Sequence, residues 1–129
     1  MSIEISSKGV GISIACGPKK EEFVKIDIYG KLEHKDYEVM TPVLERIVKQ
    51  AKKRGLNVLV DMRDFEGWSA RAALDDMKLG LKLRNSFDKM AVVGDKKWEE
   101  LAVEFASGFT KGKLKFFKNI DKAIKWLNR

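Results

Sequence analysis

Three acidic side chains are the strongest candidates for chemistry in this sequence, because they stand where short apolar segments end. Asp61 ends the segment 57–61 and Asp64 follows it, while Asp95 comes directly after the segment 90–94. Proteins with alternating strands and helices place their sites at the carboxyl ends of such strands, and carboxylates there can hold Mg²⁺. The residues leave a metal-dependent enzyme open, beside the simpler alternative that Asp95 caps a helix and Asp61 hydrogen-bonds to loop amides.

Other residue types that carry catalysis are scarce. His34 is the only histidine, and it is predicted at a helix start with no Cys or Ser beside it, which gives little support to a Ser–His or Cys–His pair. Cys16 is the only cysteine and is predicted inside a strand, where a thiol packs as a small apolar group. The sequence also lacks a phosphate-binding P-loop. We therefore expect a non-catalytic protein without a cofactor.

The elements that position these residues follow from the spacing of apolar side chains. A chain of 129 residues has the length of one domain and contains no internal repeat, so we take 1–129 as a single domain. Strands are predicted at 10–17, 23–29, 57–61, 90–94 and 113–117, and helices at 34–54 and 70–87 and after the caps Asp95 and Asn119. This ββαβαβαβα order predicts an α/β fold, with a mixed, mostly parallel sheet, right-handed βα crossovers and the first strand antiparallel at an edge.

Turn and cap residues set the expected boundaries of these elements. Gly30 is expected to end the second strand, and Pro42 to begin the main part of the first helix after a short helical turn. The segment 62–68 is predicted as a loop. Ser69 and Asp95 are predicted as the N-caps of the two helices that follow.

The helix predicted for 70–87 carries more apolar residues than one buried face requires. At about 100° per residue, the group expected to lie on the sheet is Ala70, Ala73, Leu74, Met77 and Leu81. An adjoining sector holds Ala72, Leu79, Leu83 and Phe87. That sector has three open interpretations, namely additional core, a homodimer surface, or one wall of an apolar ligand cavity. Because an aromatic segment precedes the helix, the candidate ligand- or partner-binding residues are Phe65, Trp68, Ser69, Leu79, Leu83 and Phe87.

Positive charge is concentrated at the carboxyl-terminal end of the sequence. Residues 111–129 contain seven basic residues and one acidic residue, and so carry +6 of the net charge of +7. Such runs usually form solvated faces, but they can also dock on an acidic partner or make peripheral contact with an anionic membrane. Six of the seven bases are lysine and no nucleic-acid motif accompanies them, so no specific nucleic acid is expected.

The sequence gives three indications of where the protein resides. No apolar run approaches the roughly 18 residues that a membrane span needs. The first residues lack the basic and apolar regions of an export signal. A single cysteine rules out an intramolecular disulfide and suggests a reducing compartment, so a cytoplasmic protein is expected.

Six short segments, taken in order, form a recognisable series. In chain order they are Gly30-Lys31-Leu32, Asp36-Tyr37, Pro42-Val43-Leu44-Glu45, Asp61 followed by Asp64-Phe65-Glu66-Gly67-Trp68, Ala91-Val92-Val93-Gly94-Asp95-Lys96-Lys97-Trp98, and Phe117 followed by Ala123-Ile124-Lys125-Trp126-Leu127. Together they resemble the SpoIIAA-like family of small bacterial proteins over about residues 9–128. The resemblance implies a fold similar to STAS domains and to the CRAL-TRIO lipid-transfer fold. CRAL-TRIO relatives bind apolar ligands between sheet and helices.

The same resemblance implies a regulatory serine. STAS anti-sigma-factor antagonists are switched by phosphorylation of a serine at the start of the helix after the central strand, and Ser69 is its counterpart here. The local sequence departs from their Asp-Ser-Ser-Gly type motif, because it reads Gly67-Trp68-Ser69-Ala70. We expect a non-catalytic binding or regulatory domain that acts through a partner protein or a small apolar, lipid-like ligand. The alternative is a metal-dependent enzyme that uses Asp61, Asp64 and Asp95.

Overall fold

The structure is a computed structural model that describes residues 5–6, 10–16, 22–51, 56–83, 85–110 and 112–128. Its strands are β1 (Ile5–Ser6), β2 (Val10–Cys16), β3 (Glu22–Leu32), β4 (Asn57–Trp68), β5 (Lys89–Val93) and β6 (Lys113–Phe117). Its helices are α1 (His34–Ala51), α2 (Ala70–Leu83), α3 (Lys97–Ser107) and α4 (Ile120–Leu127). No helix of the described residues is long and apolar enough to cross a membrane.

The six strands of the described residues form one sheet in which spatial order equals chain order. β1, β2 and β3 pair antiparallel, whereas β3, β4, β5 and β6 pair parallel through the crossovers made by α1, α2 and α3. The predicted α/β architecture with a mixed, mostly parallel sheet is confirmed. The two-residue strand β1 was not predicted, because two residues carry no detectable period.

Alternate strand residues face the two sides of the sheet, and each side has its own core. The core under α1 and α2 comprises Val24, Ile26, Leu32, Tyr37, Met40, Ile47, Val58, Phe65 and Ala72. The core under α4 comprises Phe23, Leu59, Ala91, Val93, Ala123 and Leu127. α3 lies on the same side of the sheet as α1. Met90 packs against the core on that side, and Val92 and its pairing partner Phe116 face the same way. The carboxylate of Glu99 on α3 lies close to Phe116.

The central pair of strands is longer than predicted. Gly30 does not end β3, because a φ of +67° lets the chain continue past a register shift to Leu32. The segment 62–68, predicted as a loop, is the second half of β4 and pairs with β3 as far as Leu32 opposite Trp68. The prediction failed because Asp, Glu and Gly are depleted in strands, and here pairing with a neighbour outweighs that local preference.

α1 is one continuous helix, so the break predicted before Pro42 is wrong. Met40 and Ile47 lie on either side of that proline and are both buried in the same core. Packing of both halves against one surface therefore keeps the helix together across a residue that cannot donate a backbone hydrogen bond.

The face of α2 that contacts the sheet is opposite to the face that the sequence predicts. Ala72 is fully buried, whereas Leu74, Met77 and Leu81, expected to face the sheet, are 58%, 62% and 53% exposed. Two hydrogen bonds to α1 set this rotation. They join the carboxylate of Asp75 to the ring of His34 at 2.6 Å, and the carboxylate of Asp76 to the hydroxyl of Tyr37 at 2.8 Å.

Two further members of the same set, Ala70 and Ala73, are also exposed, so the whole predicted sheet-facing group of α2 points outward. α2 has two apolar sectors but only one face that can be buried against the sheet, and the spacing of its own residues does not determine which sector that is. The polar contacts with α1 determine it.

α3 also presents its apolar stripe to solvent. Trp98, Leu101 and Phe105 are exposed, while Glu99 on the other side of the helix is buried. Glu99 Oε1 accepts hydrogen bonds from the backbone N–H groups of Asp95 at 3.2 Å and Lys96 at 3.1 Å. The predicted N-cap role of Asp95 is wrong, because the helix begins at Lys97 and Lys96 holds the N-cap position, with the carboxylate of Glu99 reaching back to its backbone N–H.

Candidate functional site

The structure does not assemble the three candidate acids into a metal site. Asp61 accepts hydrogen bonds from the Arg63 guanidinium at 2.9 and 2.7 Å and from the Arg63 backbone N–H at 3.1 Å. Burial opposes ionisation of Asp61, but Arg63 holds the pKa of its carboxyl below the usual value. Asp64 is exposed on β4, and Asp95 pairs with Lys96 at 3.3 Å. In the described ranges, no group of three or more His, Cys, Asp and Glu side chains is placed to hold a metal ion.

Phe65 and Trp68, two of the three aromatic candidates, close the core at the end of β4. Phe65 is 1% exposed, and its ring centroid lies 4.7 Å from that of Trp68. The Trp68 ring also lies 5.7 Å from the ring of Trp98, and its indole N–H donates to the Tyr37 hydroxyl at 3.0 Å. That hydroxyl donates in turn to Asp76, and burial together with this carboxylate raises the pKa of Tyr37.

The predicted N-cap of α2 is confirmed. The Ser69 hydroxyl accepts a hydrogen bond from the backbone N–H of Ala72 at 3.2 Å, which satisfies one of the free donors at the start of the helix. Ser69 is partly buried.

The other three candidates, Leu79, Leu83 and Phe87, face the core. Leu79 and Phe87 pack against the core under α1 and α2, as expected for additional core. Leu83 and Phe87 also line an apolar cavity of about 60 Å³ between α1 and the end of α2. An engineered cavity that holds benzene measures about 150 Å³, so this one is too small for an acyl chain. A part in ligand binding for these residues stays a prediction.

Sequence reasoning missed the large apolar side chains that α2 and α3 expose, which together we call the α2–α3 surface. Its members are Leu74, Met77, Leu81, Trp98, Leu101, Phe105 and Phe109, each between 42% and 74% exposed. Their exposures add up to about four complete side chains, or about 800 Å² if one large side chain exposes roughly 200 Å². The signal that could have revealed it is the double apolar pattern of α2, since only one of the two sectors fits against the sheet.

The basic segment lies mainly on the other side of the sheet. Lys113 and Lys115 of β6 are exposed and alternate onto the α4 side, where the Lys115 ammonium stands 5.3 Å from the ring of Phe117. Lys122 and Lys125 are exposed on α4 itself. Lysines along an edge strand discourage pairing with another sheet. The ends of the run, 111 and 129, lie outside the described residues.

Comparison with known proteins gives the family. No curated protein matches the chain significantly. Among solved structures, an anti-sigma factor antagonist from Mycobacterium paratuberculosis is 11% identical, with a TM-score of 0.49 over 100% of this chain and 94% of that chain. An uncharacterized protein of the DUF3478 family with a SpoIIAA-like fold, from Shewanella loihica PV-4, is 37% identical, with a TM-score of 0.85 over 95% of this chain and 98% of that chain. The SpoIIAA-like family profile matches residues 23–128, and the chain therefore belongs to the SpoIIAA-like family.

Proposed function

We propose that this protein is a non-catalytic binding domain of the regulatory type and that a partner protein docks on the α2–α3 surface. The observation that carries the proposal is the size of that surface. The largest apolar patch of a monomeric protein usually measures about 300–600 Å², and larger patches mark sites of interaction. At about 800 Å², the α2–α3 surface is also as large as one side of a standard protein–protein interface.

Its composition supports a protein as the occupant. Trp98, Phe105 and Phe109 are aromatic, and aromatic side chains and methionine are enriched in protein interfaces. The rings of Phe105 and Phe109 lie 5.2 Å apart and form one continuous apolar contact area. The cavity beside Leu83 is too small for a lipid-like ligand, and the exposed lysines of α4 face away from the α2–α3 surface. Neither feature therefore supports an acyl chain in that cavity or a membrane contact through the lysines of α4, and the aromatic composition of the surface favours a protein as the occupant.

The polar groups of the chain support binding over catalysis. Both ring nitrogens of His34 contact carboxylates, Nδ1 with Asp75 at 2.6 Å and Nε2 with Glu38 at 2.9 Å. Asp61 is occupied by Arg63 in the same way. The His34–Asp75 contact joins α1 to α2, whereas the other two contacts lie within α1 and within β4. A general base must have a free nitrogen or oxygen directed at its substrate.

Photo-crosslinking in cells tests the proposal. A photoreactive phenylalanine analogue replaces Phe105 on the α2–α3 surface, and in a matched control it replaces Lys122, which is exposed on α4 on the other side of the sheet. We expect a discrete protein adduct from position 105 and none from position 122. No protein adduct at 105, a lipid adduct alone, or equal adducts at both positions would contradict the proposal.

A further inference from the structure

We propose that the partner is a second copy of this chain. The two copies pack their α2–α3 surfaces together about a two-fold axis, with α2 of each copy lying on α3 of the other. This inference rests on the proposed function, because it identifies the occupant of the same surface.

The area of the surface fits a dimer. A stable interface of standard size buries about 800 Å² on each partner, and the apolar side chains of the α2–α3 surface alone expose about that much. In an isologous dimer one patch is used twice, so a single surface of this size is sufficient.

The α2 side of the surface has a basic border. Arg71, Asp75, Lys78 and Lys82 follow one another at helical spacing and form one row along α2. Asp75 and Lys82 of this row contact residues of α1, so the row lies between the apolar stripe of α2 and that helix. In the described residues, Arg71 and Lys78 form no salt bridge, which leaves two positive charges along this border.

The α3 side has an acidic border. Glu100 and Glu104 stand one turn apart on α3, and Glu100 pairs with Lys97 and also interacts with Lys118 beyond the end of β6. This row therefore lies toward β6, whereas Trp98 of the same helix contacts Trp68 of β4, the strand that leads into α2. Glu104 is exposed and, in the part of the chain that the structure describes, makes no salt bridge.

Two-fold symmetry brings these two borders together. Rotation by 180° about an axis that lies in the interface and runs along the two helices places the α1-side border of one copy over the outer border of the other, and the reverse. Lys78 and Arg71 of each copy then face Glu104 of its mate, so complementary charges flank the apolar contact on both sides. The same rotation would bring like charges together if both borders had one sign, so the charge pattern favours self-association.

Analytical ultracentrifugation tests the dimer directly. We expect the wild-type protein to dimerise in the micromolar range and Phe105→Glu to give a folded monomer with an unchanged circular dichroism spectrum. Lys122→Glu on α4 is the control, and it should dimerise as the wild type does. A wild-type protein that stays monomeric at high micromolar concentration overturns the inference, as does a dimer that Phe105→Glu leaves intact.

A charge-reversal experiment tests the orientation of the two copies. Lys78→Glu and Glu104→Lys each place like charges at both borders, and each should raise the dissociation constant about 10- to 100-fold. An equimolar mixture of the two variants should recover a wild-type dissociation constant, because the mixed dimer has opposite charges at both borders. A mixture that associates no better than either variant alone overturns the proposed arrangement.

The crosslinking at Phe105 separates this inference from the proposed function. An adduct with a different protein, together with a monomeric wild type, overturns the dimer and leaves the proposed binding function standing. An adduct with a second copy of the chain supports both. The absence of any protein adduct at this position overturns both.

Discussion

Truncation of two leucines on α2 tests which face of that helix lies on the sheet. Leu79 packs against the core under α1 and α2, whereas Leu81, two residues further along, is 53% exposed. The two substitutions Leu79→Ala and Leu81→Ala remove the same atoms from the same helix. They therefore cancel differences in helix propensity and in the unfolded state, and leave the difference in packing.

The expected magnitudes follow from burial. Leu→Ala in a core costs about 2–5 kcal/mol, and Leu79 is partly buried, so we expect the lower end of that range, about 2 kcal/mol. Leu81→Ala removes mostly solvated atoms, and alanine has the higher helix propensity, so its unfolding free energy should change by less than about 0.5 kcal/mol.

Urea denaturation followed by circular dichroism measures both values. It should be performed at a protein concentration at which only monomer is present, because association through Leu81 would add stability to the folded state by mass action. Equal losses for the two variants, or a larger loss for Leu81→Ala than for Leu79→Ala, would refute the reasoning. That result would mean that α2 faces the sheet with the group that the sequence pattern favours.

Three other substitutions test the contacts at the end of β4 and the start of α2. Trp68→Ala should lower the unfolding free energy by about 3–4 kcal/mol. Trp68→Phe keeps a ring but loses the hydrogen bond to Tyr37, so it should lower the unfolding free energy by about 1 kcal/mol. Similar losses for both variants would contradict the packing role of Trp68. Ser69→Ala should lower the unfolding free energy by about 1 kcal/mol, whereas Ser69→Asp should leave it almost unchanged because aspartate also caps a helix. Loss of partner binding in a stable Ser69→Asp protein would instead indicate a phosphorylation switch. Asp61→Asn should be less stable than the wild type at neutral pH. Because Arg63 lowers the pKa of Asp61, the charged carboxyl stabilises the folded state above its unfolded-state pKa, and the difference should vanish as pH falls through the folded-state value; a difference that does not depend on pH would rule this out.

The order of strands and helices could be predicted because its signals are local. Buried strands such as 57–61 and 90–94 stand out as short apolar runs, and Ser69 and Asn119 cap their helices as their residue types suggest. Each of these features depends on residues within a few positions along the chain. The second half of β4 could not be predicted, because its pairing with β3 is non-local.

The candidate site was harder to predict because it depends on how a helix is rotated. The His34–Asp75 and Tyr37–Asp76 contacts that set the rotation of α2 join residues 41 and 39 positions apart. The spacing of residues within α2 contains no information about such contacts. It therefore predicts that Leu74 and Leu81 are buried, although both are exposed. The sequence pattern therefore leaves Leu79, Leu83 and Phe87 open between additional core, a homodimer surface and a cavity wall, while it places the exposed Leu74, Met77 and Leu81 on the sheet.

The position of α4 has a consequence for synthesis on the ribosome. In the described residues α4 is the helix that packs on the side of the sheet formed by Phe23, Leu59 and Ala91, and its last turn is tied to β4 by a hydrogen bond from Asn57 to the carbonyl of Leu127. A chain emerging from its amino terminus completes β3, β4 and β5 well before α4 exists. One side of the sheet therefore stays uncovered until α4 leaves the exit tunnel, and a nascent chain stalled before that point exposes the core under α4 to chaperones and proteases.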